Sequence, residues 1–157
     1  MATATFAAGC FWDIQNKFSQ VSGVKKVFAG YTGGAKEHPN YEEVLTGETG
    51  HAEAVEIEFD NRQISYEALL KLFWKNHDAS TVDRQGLDVG SQYRSVVFFH
   101  TSEQQWFAER IKEALMASGE YKDPIVTDIV PAGKFYQAED QHQHYFDKKG
   151  EVCRISL

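Results

Sequence analysis

Cysteine is nearly absent from this chain: Cys10 and Cys153 are the only two in 157 residues. Two thiols cannot build the disulfide framework of a small secreted scaffold, so the expected compartment is the reducing cytoplasm. Proline is scarce too, at three, and no low-complexity linker divides the chain, so a single domain over 1–157 is expected. No apolar run approaches the roughly 18 residues of a membrane span. The opening "MATATFAAGCFW" lacks the positively charged start of a secretory signal. Excess positive charge is missing as well: 16 Lys and Arg stand against 23 Asp and Glu, a net charge of −7. That balance argues against nucleic-acid binding and against adhesion to an anionic membrane. The stretch "YTGG" (31–34) has neither phosphate-loop spacing, GxGxxG or GxxxxGK. Metal donors are not grouped either. "HAE" (51–53) has no P-C-x-x-C half to complete a zinc deaminase pattern, and His142 and His144 diverge on a helix. No cofactor and no metal is expected.

Apolar mass is what the chain does have. Hydrophobic residues make up 42% and aromatics 13%, enough for a packed globule. "ATATFAA" reads as a strand running into Cys10. Residues 11–20 read as a helix, with Phe11, Ile14, Phe18 and Val21 at helical spacing. "VKKVFAGY" (24–31) is a second strand, followed by a long Gly-rich polar loop. "HAEAVEIEFD" (51–60) alternates, with Glu53, Val55, Ile57 and Phe59 on the core face. Ser65 caps a helix whose stripe is Tyr66, Leu69, Leu70, Phe73 and Trp74. A second polar loop, "DASTVDRQGLDVGSQ", leads to the strand "YRSVVFFH". Ser102 and Gln105 fit a capping box before a helix with Phe107, Ile111, Ala114 and Leu115 inward, ended by Gly119. "PIVTDIV" is a further strand, and "AEDQHQHYFDKK" a short polar helix. The order strand–helix–strand–strand–helix–strand predicts an α/β (α+β) fold: a ferredoxin-like two-layer sandwich with a mixed sheet and a long irregular C-terminal region.

Two residues carry chemistry. Cys10 stands where a strand hands over to a helix N-terminus, a position that favours the thiolate. It reads equally as a small buried hydrophobe. Glu53 falls among aliphatics, where burial raises a carboxyl pKa and lets it hold and donate a proton near neutrality; it also reads as a strand-end carboxylate hydrogen-bonded to a loop. Tyr41, Asp88 and Tyr93 lie in or beside the two long loops, and Trp12 lies off the helical core stripe.

Taken together, "GCFW" (9–12), "GYTGG" (30–34), "PNYEEV" (39–44), "TGHAEAVEIEFD" (49–60), "DRQGLDVGSQYRSVVFF" (83–99) and "FYQAEDQHQHYF" (135–146) closely resemble the peptide methionine sulfoxide reductase A family. The resemblance implies reduction of the S epimer of methionine sulfoxide, free or in proteins, through a sulfenic acid on Cys10. It implies that Phe11 and Trp12 hold the substrate methyl, which for Phe11 displaces the core role given by spacing. It gives Glu53 the role of acid, makes Tyr41, Asp88 and Tyr93 its polar helpers, and makes Cys153 the recycling cysteine. A thioredoxin-type dithiol is the implied reductant, and a monomer is expected. The chain departs from the family at Asp13 and Gln15, where Gly or Cys and then Glu are usual, and in a short tail with one recycling candidate. Two other readings use the same residues: a cysteine hydrolase or acyltransferase pairing Cys10 with a histidine such as His51, and a redox sensor switching between Cys10 and Cys153.

Overall fold

Small, apolar and β-branched residues open the chain and form strand β1 (Ala2–Ala8) in the computed structural model, which describes residues 1–149. Gly9 then turns the backbone with φ 92, and helix α1 (Phe11–Ser19) begins with Cys10 as its N-cap residue. A side chain at Gly9 is excluded twice. Its φ is left-handed, and an added Cβ would lie 2.7 Å from Gln85 Cγ. α1 buries Phe11, Ile14 and Phe18, as spacing predicts, together with Gln15.

Strand β2 (Val24–Thr32) leads into the first long loop, which contains a one-turn helix α2 (Tyr41–Leu45) that periodicity did not reveal. Its start is a reciprocal capping box: Glu43 N–H donates to Asn40 Oδ1 at 2.8 Å, and Asn40 N–H donates to Glu43 Oε1 at 3.0 Å. Strand β3 (Ala52–Phe59) alternates as predicted, and Glu53, Val55, Ile57 and Phe59 are all buried. Helix α3 (Tyr66–Lys75) is capped by Ser65, whose Oγ accepts from Ala68 N–H at 3.1 Å. The second loop folds into a hairpin of two short strands, β4 (Arg84–Gln85) and β5 (Asp88–Val89), and a 3₁₀ turn over Ser91–Tyr93. After β6 (Ser95–Phe99), helix α4 (Ser102–Ala117) starts one residue earlier than the sequence suggested. Thr101, not Ser102, is the cap, accepting from Gln104 N–H at 3.1 Å, while Gln104 Oε1 accepts from His100 N–H at 2.9 Å. Phe107, Ile111 and Leu115 pack inward from α4, but Ala114 is exposed. The remainder is largely irregular: β7 (Asp128–Pro131), β8 (Tyr136–Gln137), a 3₁₀ turn over Asp140–His142 and α5 (Tyr145–Lys149).

The strands form a six-stranded mixed sheet in the order β7-β6-β1-β3-β2-β8. Its central four strands are antiparallel, β7 joins β6 in parallel, and β8 joins β2 antiparallel. Phe6 of β1 stacks on Phe73 of α3 at 4.9 Å and on Phe18 of α1 at 5.7 Å, so the main core lies between the sheet and these helices. Each such ring contributes about 1.5–3 kcal/mol through burial. On the other face, Ala132 and Phe135 cover Ala7, Ala54 and Phe98. The crossing is close. A Cβ at Gly30 would lie 2.5 Å from the Tyr136 carbonyl oxygen, so β2 carries a glycine where β8 passes.

Candidate active site

Sheet register decides which loops meet. Tyr31 pairs with Glu53 and Ala8 with Ser95, so the end of β1, the start of β3, the end of β2 and the residues before β6 share one end of the sheet. Cys10, Glu53 and Tyr93 are brought there by these strands, and Tyr41 and Asp88 by the two loops.

Glu53 is 1% exposed. Phe11 N–H at the start of α1 donates to its Oε1 at 3.2 Å, and its Oε2 has no hydrogen-bond partner among the described residues. Burial pushes the carboxyl up to about 8, with smaller upward contributions from Asp88 and Asp13 and a downward pull from the Phe11 N–H. At pH 7 roughly nine in ten such carboxyls hold a proton.

Cys10 is partly exposed and opens on a cavity of about 360 Å³ that is also lined by Asp13, His77, Gln85, Gly86 and Asp88. Its thiol is held well above the ordinary cysteine range, first by burial and then by Glu53 and Asp13; the Trp12 backbone N–H pulls the other way. The expected activation by the helix N-terminus is therefore outweighed. Desolvation and the charges of Glu53 and Asp13 oppose ionisation of the thiol, whereas the helix end supplies only a partial charge.

Burial and then Glu53 push the Tyr41 hydroxyl up to about 12, with Cys10 and Asp88 adding to the effect. Tyr93 is raised by burial, Glu53, Tyr41 and Cys10 in that order. Cys10, Glu53, Tyr41, Asp88 and Tyr93 thus lie within one another's electrostatic reach.

The aromatics are arranged less evenly. Phe11 is 1% exposed and packs at 5.6 Å from Tyr31 and 6.2 Å from Tyr41, as its helical spacing predicts. Trp12 is partly exposed. Its indole N–H donates to His142 Nδ1 at 3.3 Å, and Tyr145 stacks on its ring at 3.9 Å and 10°. His142 in turn lies 4.1 Å from the Tyr41 ring. His142 and Tyr145 have no periodic signal, because they sit in a polar run that reads as a solvated helix.

Two further residues, given no positioning role by the sequence, hold segments around the site: Glu139 anchors the start of α2, and Gln15 ties β2 to the segment at 143–144. Glu139 accepts from the Tyr31 hydroxyl at 2.8 Å and from the Tyr41 backbone N–H at 3.0 Å. Gln15 donates to the Val27 carbonyl at 2.8 Å and to Gln143 Oε1 at 3.0 Å, and accepts from His144 N–H at 2.7 Å.

Neither nearby histidine is free to act as a base on Cys10. His51 accepts from Gly34 N–H at 3.0 Å through Nδ1, and its Nε2 meets the Lys36 carbonyl at 2.7 Å. His77 lines the cavity, but burial pushes it down to about 4, and its two ring nitrogens meet the Phe73 carbonyl and Ser95 Oγ. Among the described residues no group of three or more His, Cys, Asp or Glu side chains could hold a metal ion, and no helix is long and apolar enough to cross a membrane. Cys153 lies outside the described residues.

A thiol, a buried and mostly protonated carboxyl and two tyrosine hydroxyls together can protonate an oxygen while the sulfur attacks the atom that bears it. The comparisons agree with that chemistry. The family model described as peptide methionine sulfoxide reductase matches residues 2–157. A peptide methionine sulfoxide reductase MsrA of Methanosarcina mazei is 56% identical over 152 residues, covering 97% of this chain and 72% of that protein. Among solved structures, reduced Mxr1 from Saccharomyces cerevisiae superposes with a TM-score of 0.91 at 30% identity, covering 99% of this chain and 91% of the other. Methionine sulfoxide reductase A of Corynebacterium diphtheriae superposes with a TM-score of 0.83 at 31% identity, covering 99% and 82%. With a match that spans the described fold and the residues at its reactive end, the chain belongs to the peptide methionine sulfoxide reductase family.

Proposed function

We propose that this chain reduces the S epimer of methionine sulfoxide to methionine, with Cys10 as nucleophile and Glu53 as proton donor. The observation that carries the residue roles is the Glu53 carboxyl: buried, raised to about 8, anchored at Oε1 and, among the described residues, without a partner at Oε2, beside the thiol.

A sulfoxide sulfur is a poor electrophile until its oxygen is protonated or strongly hydrogen-bonded. Glu53 gives its proton to that oxygen, and the Tyr41 and Tyr93 hydroxyls, both held protonated, donate hydrogen bonds to it. The Cys10 thiol loses its proton to the Glu53 carboxylate as the sulfur–sulfur bond forms. The hydroxyl then passes to Cys10, and methionine leaves. The products are methionine and a Cys10 sulfenic acid: sulfur of the substrate is reduced and sulfur of the enzyme oxidised by the same two electrons. Trp12, fixed by His142, offers an apolar wall for the substrate methyl. A second thiol condenses with the sulfenic acid, releasing water and forming a disulfide, and a thioredoxin-type dithiol exchanges that disulfide back to thiols. Cys153 is the candidate second thiol. The need for a reduced dithiol pool favours the cytoplasm as the working compartment.

The test is reduction of both epimers of an N-acetylated methionine sulfoxide amide with dithiothreitol. Turnover of the S epimer by the wild type and none by Cys10→Ser is expected; turnover by Cys10→Ser within a few-fold of wild type overturns the nucleophile. Cys153→Ser should complete one turnover and then stall with thioredoxin, while continuing with small thiols. Full thioredoxin-dependent turnover by Cys153→Ser removes Cys153 from the cycle.

A further inference from the structure

We propose that His142 is a positioning residue for the sulfoxide reaction: as a neutral imidazole it fixes the Trp12 indole beside Tyr41, and its protonation breaks that hold. The inference rests on the sulfoxide-reductase reading above, in which Trp12 walls the substrate methyl and Tyr41 serves the oxygen.

The hydrogen bond decides the protonation state. An indole N–H can only donate, so His142 Nδ1, 3.3 Å from Trp12 Nε1, is the nitrogen with the free lone pair. The ring proton of the neutral imidazole then sits on Nε2. That nitrogen is buried and has no hydrogen-bond partner among the described residues, and His142 as a whole is 6% exposed. An unpaired buried donor is destabilising. The other tautomer would spare Nε2 but set Nδ1–H against the indole N–H.

The bond supplies what stacking does not. Tyr145 lies on the Trp12 ring at 3.9 Å and 10°. Such a stack fixes the plane of a ring and leaves it free to slide and turn within that plane. The directed bond to His142 sets this remaining freedom. His142 is itself held against the site. Its ring lies 4.1 Å from Tyr41 at 29° and 6.0 Å from Phe11, and its backbone N–H donates to the Glu139 carbonyl at 2.9 Å. The Glu139 carboxylate accepts from the Tyr41 backbone N–H, so one short turn positions both Trp12 and Tyr41.

A proton on His142 undoes the arrangement. With hydrogen on both nitrogens, Nδ1–H faces the indole N–H, and two donors meet with no acceptor between them. The surroundings oppose that proton at neutral pH. Burial holds His142 below the ordinary 6.5, and Lys148 of α5 adds to the lowering; Glu139 of its own turn and Glu42 of α2 pull the other way. The side chains facing it from α1, Phe11 and Trp12, do not titrate. His142 is therefore mostly neutral at pH 7 and gains charge as pH falls below 6.5. Trp12 touches the methyl group in the ground state and the transition state alike, so losing its hold should weaken binding and leave the limiting rate unchanged.

The test is single-turnover reduction of the N-acetyl amide of methionine S-sulfoxide by the reduced full-length protein, at several substrate concentrations from pH 7 to 5. Glu53, near 8, stays mostly protonated over this range and His77, at about 4, mostly neutral, so neither supplies an acid limb. For wild type the half-saturating concentration should rise below pH 6.5, towards about 5-fold, the loss of one neutral hydrogen bond, while the limiting rate holds. His142→Ala should show that rise already at pH 7 and no further change in acid. His142→Gln, whose amide oxygen accepts from the indole without titrating, should stay within about 2-fold of wild type at pH 7 and lack the acid rise. Trp12→Phe keeps a ring without the N–H, so its half-saturating concentration should not depend on pH here. A second readout needs no substrate: the Trp12 indole N–H signal in a proton–nitrogen NMR spectrum should shift with the same midpoint in wild type and stay still in His142→Gln. An acid rise that persists in His142→Gln or Trp12→Phe overturns the proposal. So does a flat profile in active wild type, an indole signal that ignores pH, or a His142→Ala variant that matches wild type at pH 7. Wild-type protein that reduces no sulfoxide at any pH overturns the sulfoxide reading itself, and this inference with it.

Discussion

At the scale of single residues, the site divides the work between a thiol that is hard to ionise and an acid that is hard to deprotonate. Both sit high first because the pocket is desolvated; like charge adds to it, from Glu53 and Asp13 on the thiol and from Asp88 and Asp13 on the Glu53 carboxyl. Glu53→Ala should slow reduction by roughly 10²–10⁴-fold, the span of a positioned general acid. Glu53→Gln should lose less, since an amide still donates a hydrogen bond to the oxygen. The sharper readout is pH. With the carboxyl near 8, kcat/KM for wild type should fall as pH rises through about 8, and that limb should vanish in Glu53→Gln. Stopped-flow rates from pH 6 to 9 would show it, and an identical limb in the variant removes Glu53 as its source. Glu53 was legible in the sequence because a period-2 pattern puts one carboxyl among three aliphatics. Cys10's position was legible as well, but its high pKa was not. That pKa depends first on burial and then on Glu53, 43 positions away, with Asp13 adding to it, and no local pattern reports such proximity in space. His142 and Tyr145 were hidden for the same reason: stacking against Trp12 leaves no period in a polar run.

At the scale of elements, the long periodic segments could be read directly, and the short ones could not. α1, α3, α4 and β3 each hold enough residues to show a stripe or an alternation. α2 spans five residues and β4, β5 and β8 two each, too few for any period. Tertiary partners hold them instead: Glu139 under α2, and the Gly30–Gln137 pairing at β8. The segment after β8 is also held by the half-buried Gln15–Gln143 contact. Gln143 also accepts from Ala29 N–H at 2.9 Å and donates to the Ala29 carbonyl at 2.8 Å, so it stands in for a strand partner at the edge of β2. Gln15→Ala would strip three bonds from a buried site, at a cost of about 2–4 kcal/mol. The loss should be local. Amide hydrogen exchange at Ala29 and His144 should speed up by roughly 10²–10³-fold, while β1 and β3 keep their protection. KM for the sulfoxide should rise, because His142 and Tyr145 ride on the same segment. Unchanged protection at both amides would show that the segment is anchored elsewhere.

At the scale of the whole molecule, a site built from desolvated ionisable groups carries a cost that appears in global stability. Glu53 has a folded pKa of about 8 against 4.5 for the free group, so the folded state binds the extra proton between these values. Stability from this group is complete below pH 4.5, falls as pH rises through the window, and is flat above about 8. His77 acts in the opposite sense. Burial lowers it from 6.5 to about 4, so its contribution is lost as pH falls below 6.5. The raised Cys10 thiol matters only above its free value of 9.0. Between pH 6.5 and 8.0 Glu53 therefore dominates the slope. One and a half pH units at about 1.4 kcal/mol each set an upper bound near 2 kcal/mol of stability lost across that interval. Urea unfolding at pH 6.5 and 8.0 should show a loss of this order for wild type and almost none for Glu53→Gln, so the variant gains on wild type as the solution becomes more basic. The comparison cancels any constant packing cost of the amide, because only the pH dependence is read. If both proteins lose stability in parallel, the proton is held by another group, and Glu53 is not the acid the pocket was built around.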